Sequence, residues 1–140
     1  MRLLRTEKLM IIRFDEGEEV ISSFERLARG AKVHSAVILS FIGALKNSKI
    51  IVKKGVEKEI DQHVEAVGNG NLTLLSGQPF IHLHVALGNE AGSWVGHLLK
   101  GEVDIFCEAV LEPLQPQIRR EYDSELAEKG VTVPFRLDLG

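Results

Sequence analysis

The sequence predicts a mostly β domain with a single principal helix. Two observations carry this. Short stretches rich in Ile, Val and Leu are broken by turn residues roughly every 8 to 12 positions through the middle of the chain. Only one segment, Glu18 to Arg29, repeats its apolar residues at helical spacing. Over 140 residues, 44% hydrophobic and 26% charged side chains match an ordinary globular domain and exclude a disordered, collagenous or coiled-coil chain. A domain of this length buries enough surface for one core without a staple, so a metal ion would serve function rather than folding.

The elements follow in order. Glu7 to Phe14 reads as a strand ending at Asp15-Glu16-Gly17. The helix places Val20, Phe24, Leu27 and Ala28 on one face, sets Glu18 and Glu19 at the positive end of its dipole and stops at Gly30. Val33 to Leu45 is a nearly continuous apolar run, as expected of a strand buried on both faces. Ser48 to Val52 and Val56 to Ile60 form a hairpin around Lys53-Lys54-Gly55, and His63 to Val67 and Leu72 to Ser76 add two strands. Ile81 to Leu87 and Ser93 to Leu98 are joined by Gly88-Asn89-Glu90-Ala91-Gly92, whose glycines permit a tight turn. Glu102 to Glu112 alternates Val103, Ile105, Cys107, Ala109 and Leu111 against Asp104, Glu108 and Glu112. Pro113 and Pro116 close the sheet, Gln117 to Lys129 contains a short polar helix, and Val131 to Leu139 is a last extended piece.

Charge and cysteine content narrow the function classes. Seventeen basic against 20 acidic side chains give a formal charge of −3, which argues against a stand-alone nucleic-acid binder, because phosphate affinity comes mostly from Lys and Arg. Lys46, Lys49, Lys53, Lys54 and Lys58 are interleaved with Glu57 and Glu59 and read as a solvated hairpin edge. The single Cys107 has no partner for an internal bridge and falls on the apolar face of its strand. The opening MRLLRTEKLMIIRF has no apolar stretch followed by a cleavage site, so the cytoplasm is the expected compartment. No apolar run approaches the roughly 20 residues a membrane span requires.

The chemistry concentrates between Ile81 and Leu99, where three of the five histidines lie. In a strand, His82 and His84 share one face while Ile81, Leu83, Val85 and Leu87 take the other. If Gly88 pairs with Ser93, His84 lies across from His97; a two-residue loop at Asn89-Glu90 would instead set His97 across from His82. Either register puts all three imidazoles on one face, close enough for one tetrahedral ion. A lone His-x-His more often decorates a solvent face, but the third histidine favours a metal site. Three histidines without a cysteine resemble a zinc site with an open position for water, although copper, nickel, cobalt and iron share the ligand type. Asp104, Glu108 and Glu90 are available carboxylates for a supporting role. His34 is expected in the core and His63 at the surface. Arg13, between the first strand and the helix, is a candidate anion-binding residue near the pocket, with Glu18 holding it.

Together, RFDEGEEV from Arg13 to Val20, SFIGAL from Ser40 to Leu45, LTLLSG from Leu72 to Gly77, and PFIHLHVAL and GHLLKGEV between Pro79 and Val103 resemble the plant and prokaryote conserved (PPC) domain family. The resemblance spans nearly the whole chain, residues 1–140, as one domain. It implies an α+β fold with a strongly bent, mostly antiparallel, barrel-like sheet and one principal helix. It also implies a homotrimer, and a metal held by His82, His84 and His97. Similarity of that fold to acetolactate decarboxylase makes metal-dependent hydrolase or lyase chemistry on a small anionic ligand a reasonable expectation. Two departures stand out: Phe41 where the family usually has glycine, expected to narrow a pocket or repack an interface, and Val95-Gly96 where two glycines commonly precede the last histidine. Plant relatives carry AT-hook motifs that enter the minor groove. Here Arg29-Gly30 is followed by Ala31, which argues against direct DNA binding and leaves DNA-associated regulation or scaffolding as the alternative function.

Overall fold

A computed structural model describes residues 1–140 as nine strands and two helices. The strands are β1 (Arg2–Arg5), β2 (Met10–Asp15), β3 (Ala36–Lys53), β4 (Val56–Ile60), β5 (Val64–Leu75), β6 (Gln78–Asn89), β7 (Gly92–Pro113), β8 (Arg119–Tyr122) and β9 (Phe135–Asp138). The helices are α1 (Val20–Ala31) and α2 (Ser124–Glu128). Antiparallel pairing of β3 with β5 and β7, and of β6 with β5 and β7, closes a ring of four strands. Strands β1 and β2 extend it beyond β7, β4 folds back on β3, and β8 joins β5 through one parallel pairing, Leu74 with Arg119. The sheet is therefore a ring with appended edges rather than a barrel.

Helix α1 covers the inner face. Glu19 caps it, accepting hydrogen bonds from the backbone N–H groups of Ile21 and Ser22 at 3.0 and 2.9 Å, and also accepts from Gly101 N–H at 3.1 Å, which pins the helix start to β7. Val20, Phe24, Leu27 and Ala28 are buried, as their spacing predicts. Phe24 meets Phe14 of β2 edge-on, with ring centroids 4.9 Å apart. Phe41 completes this cluster at 6.2 and 6.3 Å from the other two rings and is fully buried. It fills the core beneath α1 and does not line the pocket beside the histidines.

Several sequence expectations are revised here. The strand expected from Glu7 to Phe14 begins at Met10, and a separate edge strand, β1, precedes it. The expected strands Val33–Leu45 and Ser48–Val52 are one strand, β3, and His63–Val67 and Leu72–Ser76 merge into β5. Strand β3 is not buried on both faces: Leu39 and Ile42 are 47% and 46% exposed. His34 is exposed in the link before β3 rather than in the core, whereas His63 is at the surface as expected.

Ile105 departs from the alternation of its strand. Gly43 pairs with Cys107 and Leu45 with Val103, so β7 carries extra residues between these pairs. The bulge holds Ile105 at φ 75 and turns its side chain out to 62% exposure. Gly43, at φ 142, makes room opposite: a Cβ there would collide with the Phe106 carbonyl and with Cys107. Cys107 itself is buried as predicted, its Sγ 3.3 Å from the Ala44 carbonyl, and burial pushes its thiol up to about 12, which leaves it protonated.

Candidate functional site

The hairpin of β6 and β7 turns at Glu90-Ala91, with Asn89 paired to Gly92 and Gly88 to Ser93. His84 therefore pairs with His97, the first of the two registers the sequence allowed. Ile81, Leu83, Val85 and Leu87 point into the core, and His82, half-buried, and His84, exposed, take the opposite face with half-buried His97. The ring centroids of His82 lie 5.0 Å from both His84 and His97, and those of His84 and His97 lie 5.7 Å apart.

One ring nitrogen from each residue falls within 4.8 Å of the other two. A tetrahedral ion with Zn–N bonds of about 2.0 to 2.1 Å holds its nitrogens about 3.4 Å apart, so the rings need approach by little more than about an ångström, within the reach of small χ rotations. Protonation also suits such a site. Burial first, then the charge of His97 and Arg120, lowers His82 to about 4. Burial followed by the charges of His84 and Arg120 lowers His97 to about 4. Both rings are neutral at pH 7, the protonation state a metal requires of imidazole.

The backbone around the site depends on glycine. A Cβ on Gly70 would strike the His82 carbonyl, one on Gly68 the His84 carbonyl, and one on Gly96 the carbonyl of Ile51. These three positions let β5 and β3 approach the histidine hairpin closely. Glycines at alternate positions of the segment Gly68-Asn69-Gly70-Asn71 were a readable sign of such an approach.

The supporting groups differ from those the sequence suggested. Asp104 accepts from His63 at 2.6 Å and pairs with Lys46 at 3.6 Å, and it raises His63 through this hydrogen bond. Glu108 lies opposite Arg13 on β2, and Glu90 stays exposed in the turn. No carboxylate bonds to the three imidazoles. Their one side-chain hydrogen-bond partner is Arg120, whose Nη2 lies 3.2 Å from His82 Nδ1. The same guanidinium donates to Thr73 Oγ1 at 2.9 Å, Asn71 Oδ1 at 2.8 Å and the Phe135 carbonyl at 3.2 Å, and lies over the Phe80 ring. Nothing in the local sequence of the polar tail marked Arg120. Its place depends on β8 crossing beside β5.

Arg13 and Glu18 sit elsewhere. The Nε of Arg13 donates to Asp15 at 2.9 Å, and Glu18 pairs with the Met1 amine at 2.8 Å and with Arg26 at 3.3 Å, so the two do not meet. Arg13 lines a separate apolar groove with Leu3, Leu4, Ile11 and Ile42.

Comparison with known proteins adds the following. The family model described as the Plants and Prokaryotes Conserved (PCC) domain matches residues 1–115. A plant- and prokaryote-conserved (PPC) protein of Pyrococcus horikoshii is 30% identical, with a TM-score of 0.75 over 99% of this chain and 96% of that one. A metal-containing protein of Archaeoglobus fulgidus is 28% identical, with a TM-score of 0.77 over 94% of this chain and 96% of that one. A Bacteroides thetaiotaomicron protein described as a candidate DNA-binding protein shares the fold at 21% identity, with a TM-score of 0.86 over 98% and 96% of the two chains. A search of curated proteins gives no match. No helix is long and apolar enough to cross a membrane.

Proposed function

This chain belongs to the plant and prokaryote conserved domain family, and on that premise we propose that it is a metal-binding member whose His82, His84 and His97 hold one divalent ion, zinc fitting best, with an open side for a small ligand. The observation that carries this reading is the convergence of three ring nitrogens within 4.8 Å. The metal content of the Archaeoglobus relative supports it. Zinc, when bound, supplies the Lewis acidity on which hydrolysis, hydration or decarboxylation of a small molecule relies. The chain's own part is to keep two imidazoles neutral at pH 7 and to fix their orientation. Elemental analysis of the purified protein is expected to find about one zinc, or another divalent transition metal, per chain. Metal-free protein that takes up none on titration overturns the reading.

A second reading, association with DNA, draws its support from the structural neighbours described as candidate DNA-binding proteins, and these names speak for it more than for an enzyme. The net charge of −3 speaks against direct contact. It predicts duplex binding that weakens steeply with salt and is lost when Lys53 and Lys54 are neutralised. A gel-shift assay at low salt with no retarded band at micromolar protein removes it.

The reading includes a homotrimer, expected for the family, and the apolar groove of Leu3, Leu4, Ile11 and Ile42 is a face suited to subunit contact. Light scattering is expected to give three times the 15.5 kDa of one chain. A monomer mass at micromolar concentration overturns that part. Arg13 and Glu18, taken up in other pairs, have no role in the proposed centre.

A further inference from the structure

Over the three imidazoles lies a cavity of about 510 Å³. The end of β3 and the turn after it contribute Lys53 and Lys54 to its lining, the histidine hairpin contributes Val95, and the segment between α2 and β9 contributes Val131 and Val133. Its lining contains no carboxylate. Lys53 and Lys54 make no ion pair, in contrast to Lys49, which pairs with Glu57 at 3.0 Å. Behind His82, Arg120 is only 9% exposed and also lacks a carboxylate partner. Its donors are spent on neutral acceptors, and one of the five N–H groups of its fork has none. A buried cation without a counter-ion is an expensive arrangement. Here it coincides with two unpaired lysines on one concave pocket whose remaining lining, apart from the three imidazoles and Thr132, is apolar, so the field inside is positive on two sides.

We propose that this pocket is a subsite for a small organic carboxylate, its charge facing Lys53 and Lys54 with Arg120 behind, and its short branched body lying between Val95 and the wall made by Val131 and Val133. The inference deepens the metal-centre reading by naming the class of molecule that meets the open side of the histidines. A carboxylate with a hydrocarbon body suits the lining better than inorganic phosphate does, because the valines offer no hydrogen bonds and gain only from covering apolar surface. The volume is that of a small-molecule site, and the recess is concave, unlike a surface for a duplex. The wall and Arg120 both come from residues beyond 115, outside the stretch the family model matches, so the tail sets which molecules this member accepts.

The full chain, zinc-loaded and zinc-free, is titrated with isobutyrate and with its neutral isostere isobutyramide while amide and methyl resonances are followed. Isobutyrate is expected to bind at least about tenfold more tightly than isobutyramide, the sum of a few partly screened charge contacts. In Lys53→Gln/Lys54→Gln the preference is expected to shrink to about twofold or less with the zinc content unchanged. Arg120→Lys, which keeps the charge but loses the fork, is expected to fold and to retain part of the preference. Equal binding of the two probes by the native chain overturns the proposal, and so does a preference undiminished in the lysine variant. A chain that takes up no zinc yet discriminates through its lysines leaves the subsite standing and the metal reading fallen. Zinc uptake without discrimination does the reverse.

Discussion

A His82→Ala/His84→Ala chain is expected to emerge from purification without stoichiometric zinc, where the native chain retains about one ion. Changes to groups that merely support a ligand cost roughly 10 to 100-fold in metal affinity, so removing two of three direct ligands lowers it by more than about four orders of magnitude. Only His97 then remains, and a lone imidazole is no better a ligand than any surface histidine. His84 is exposed and His82 half-buried, so the variant keeps its core and its fold. Circular dichroism of metal-free native and variant chains should agree. Because burial and neighbouring charge hold His82 and His97 near 4, zinc uptake at pH 7 displaces no proton from these two rings. Stoichiometric zinc in the double variant overturns the assignment, since the ion would then sit elsewhere.

A large loss of stability is expected from Gly96→Ala. The missing Cβ at this position leaves room for the Ile51 carbonyl, and β3 and β7 are in ladder contact there through the pairing of Ile51 with His97. Because the obstructing atom is backbone, no side-chain rotation relieves the collision, and the strands must separate at the point where the third histidine enters the site. Overpacking of this kind costs about 3 kcal/mol or more out of a total near 5 to 15. The melting temperature should fall by about 10 °C or more, and zinc affinity should fall with it. Gly88→Ala, in the same hairpin, is the control: a Cβ there meets nothing closer than 3.7 Å, so its melting temperature should stay within a few degrees. Equal behaviour of the two variants would show that Gly96 is not held by close approach. Val95, 63% exposed, shows that the position before Gly96 has room for a side chain, where the resemblance led one to expect a second glycine.

The histidine site was legible because its two determinants are local. Strand alternation sets the face of each imidazole, and counting through the loop put His97 on that face opposite either His84 or His82; the turn at Glu90-Ala91 selects His84. The helix was legible for a similar reason, since Val20, Phe24 and Leu27 declare their face by spacing alone. What stayed hidden depends on chain segments far apart. The exposure of Ile105 follows from a bulge against Gly43, and a period-two reading across Glu102 to Glu112 has no means of registering extra residues. His34 sits next to an apolar run but before the strand begins, where neighbouring hydrophobicity says nothing about burial. Arg120 reaches His82 only after the tail has crossed beside β5; of the carboxylates that looked better placed in the sequence, Asp104 is engaged by His63 and Lys46, Glu108 lies opposite Arg13 on β2, and Glu90 stays in the turn.

Strand β7 has a consequence for the order in which the molecule assembles. Its turn with β6 closes over two residues, so that hairpin can form in microseconds and brings all three imidazoles onto one local ribbon. Its ladder with β3 joins residues as distant in sequence as Ala36 and Pro113, and closing so long a loop costs chain entropy before any contact repays it. Chain entropy therefore favours an order in which the histidine hairpin closes early and β3 seals the ring late, so changes in the β3–β7 ladder are expected to affect the unfolding rate more than the folding rate.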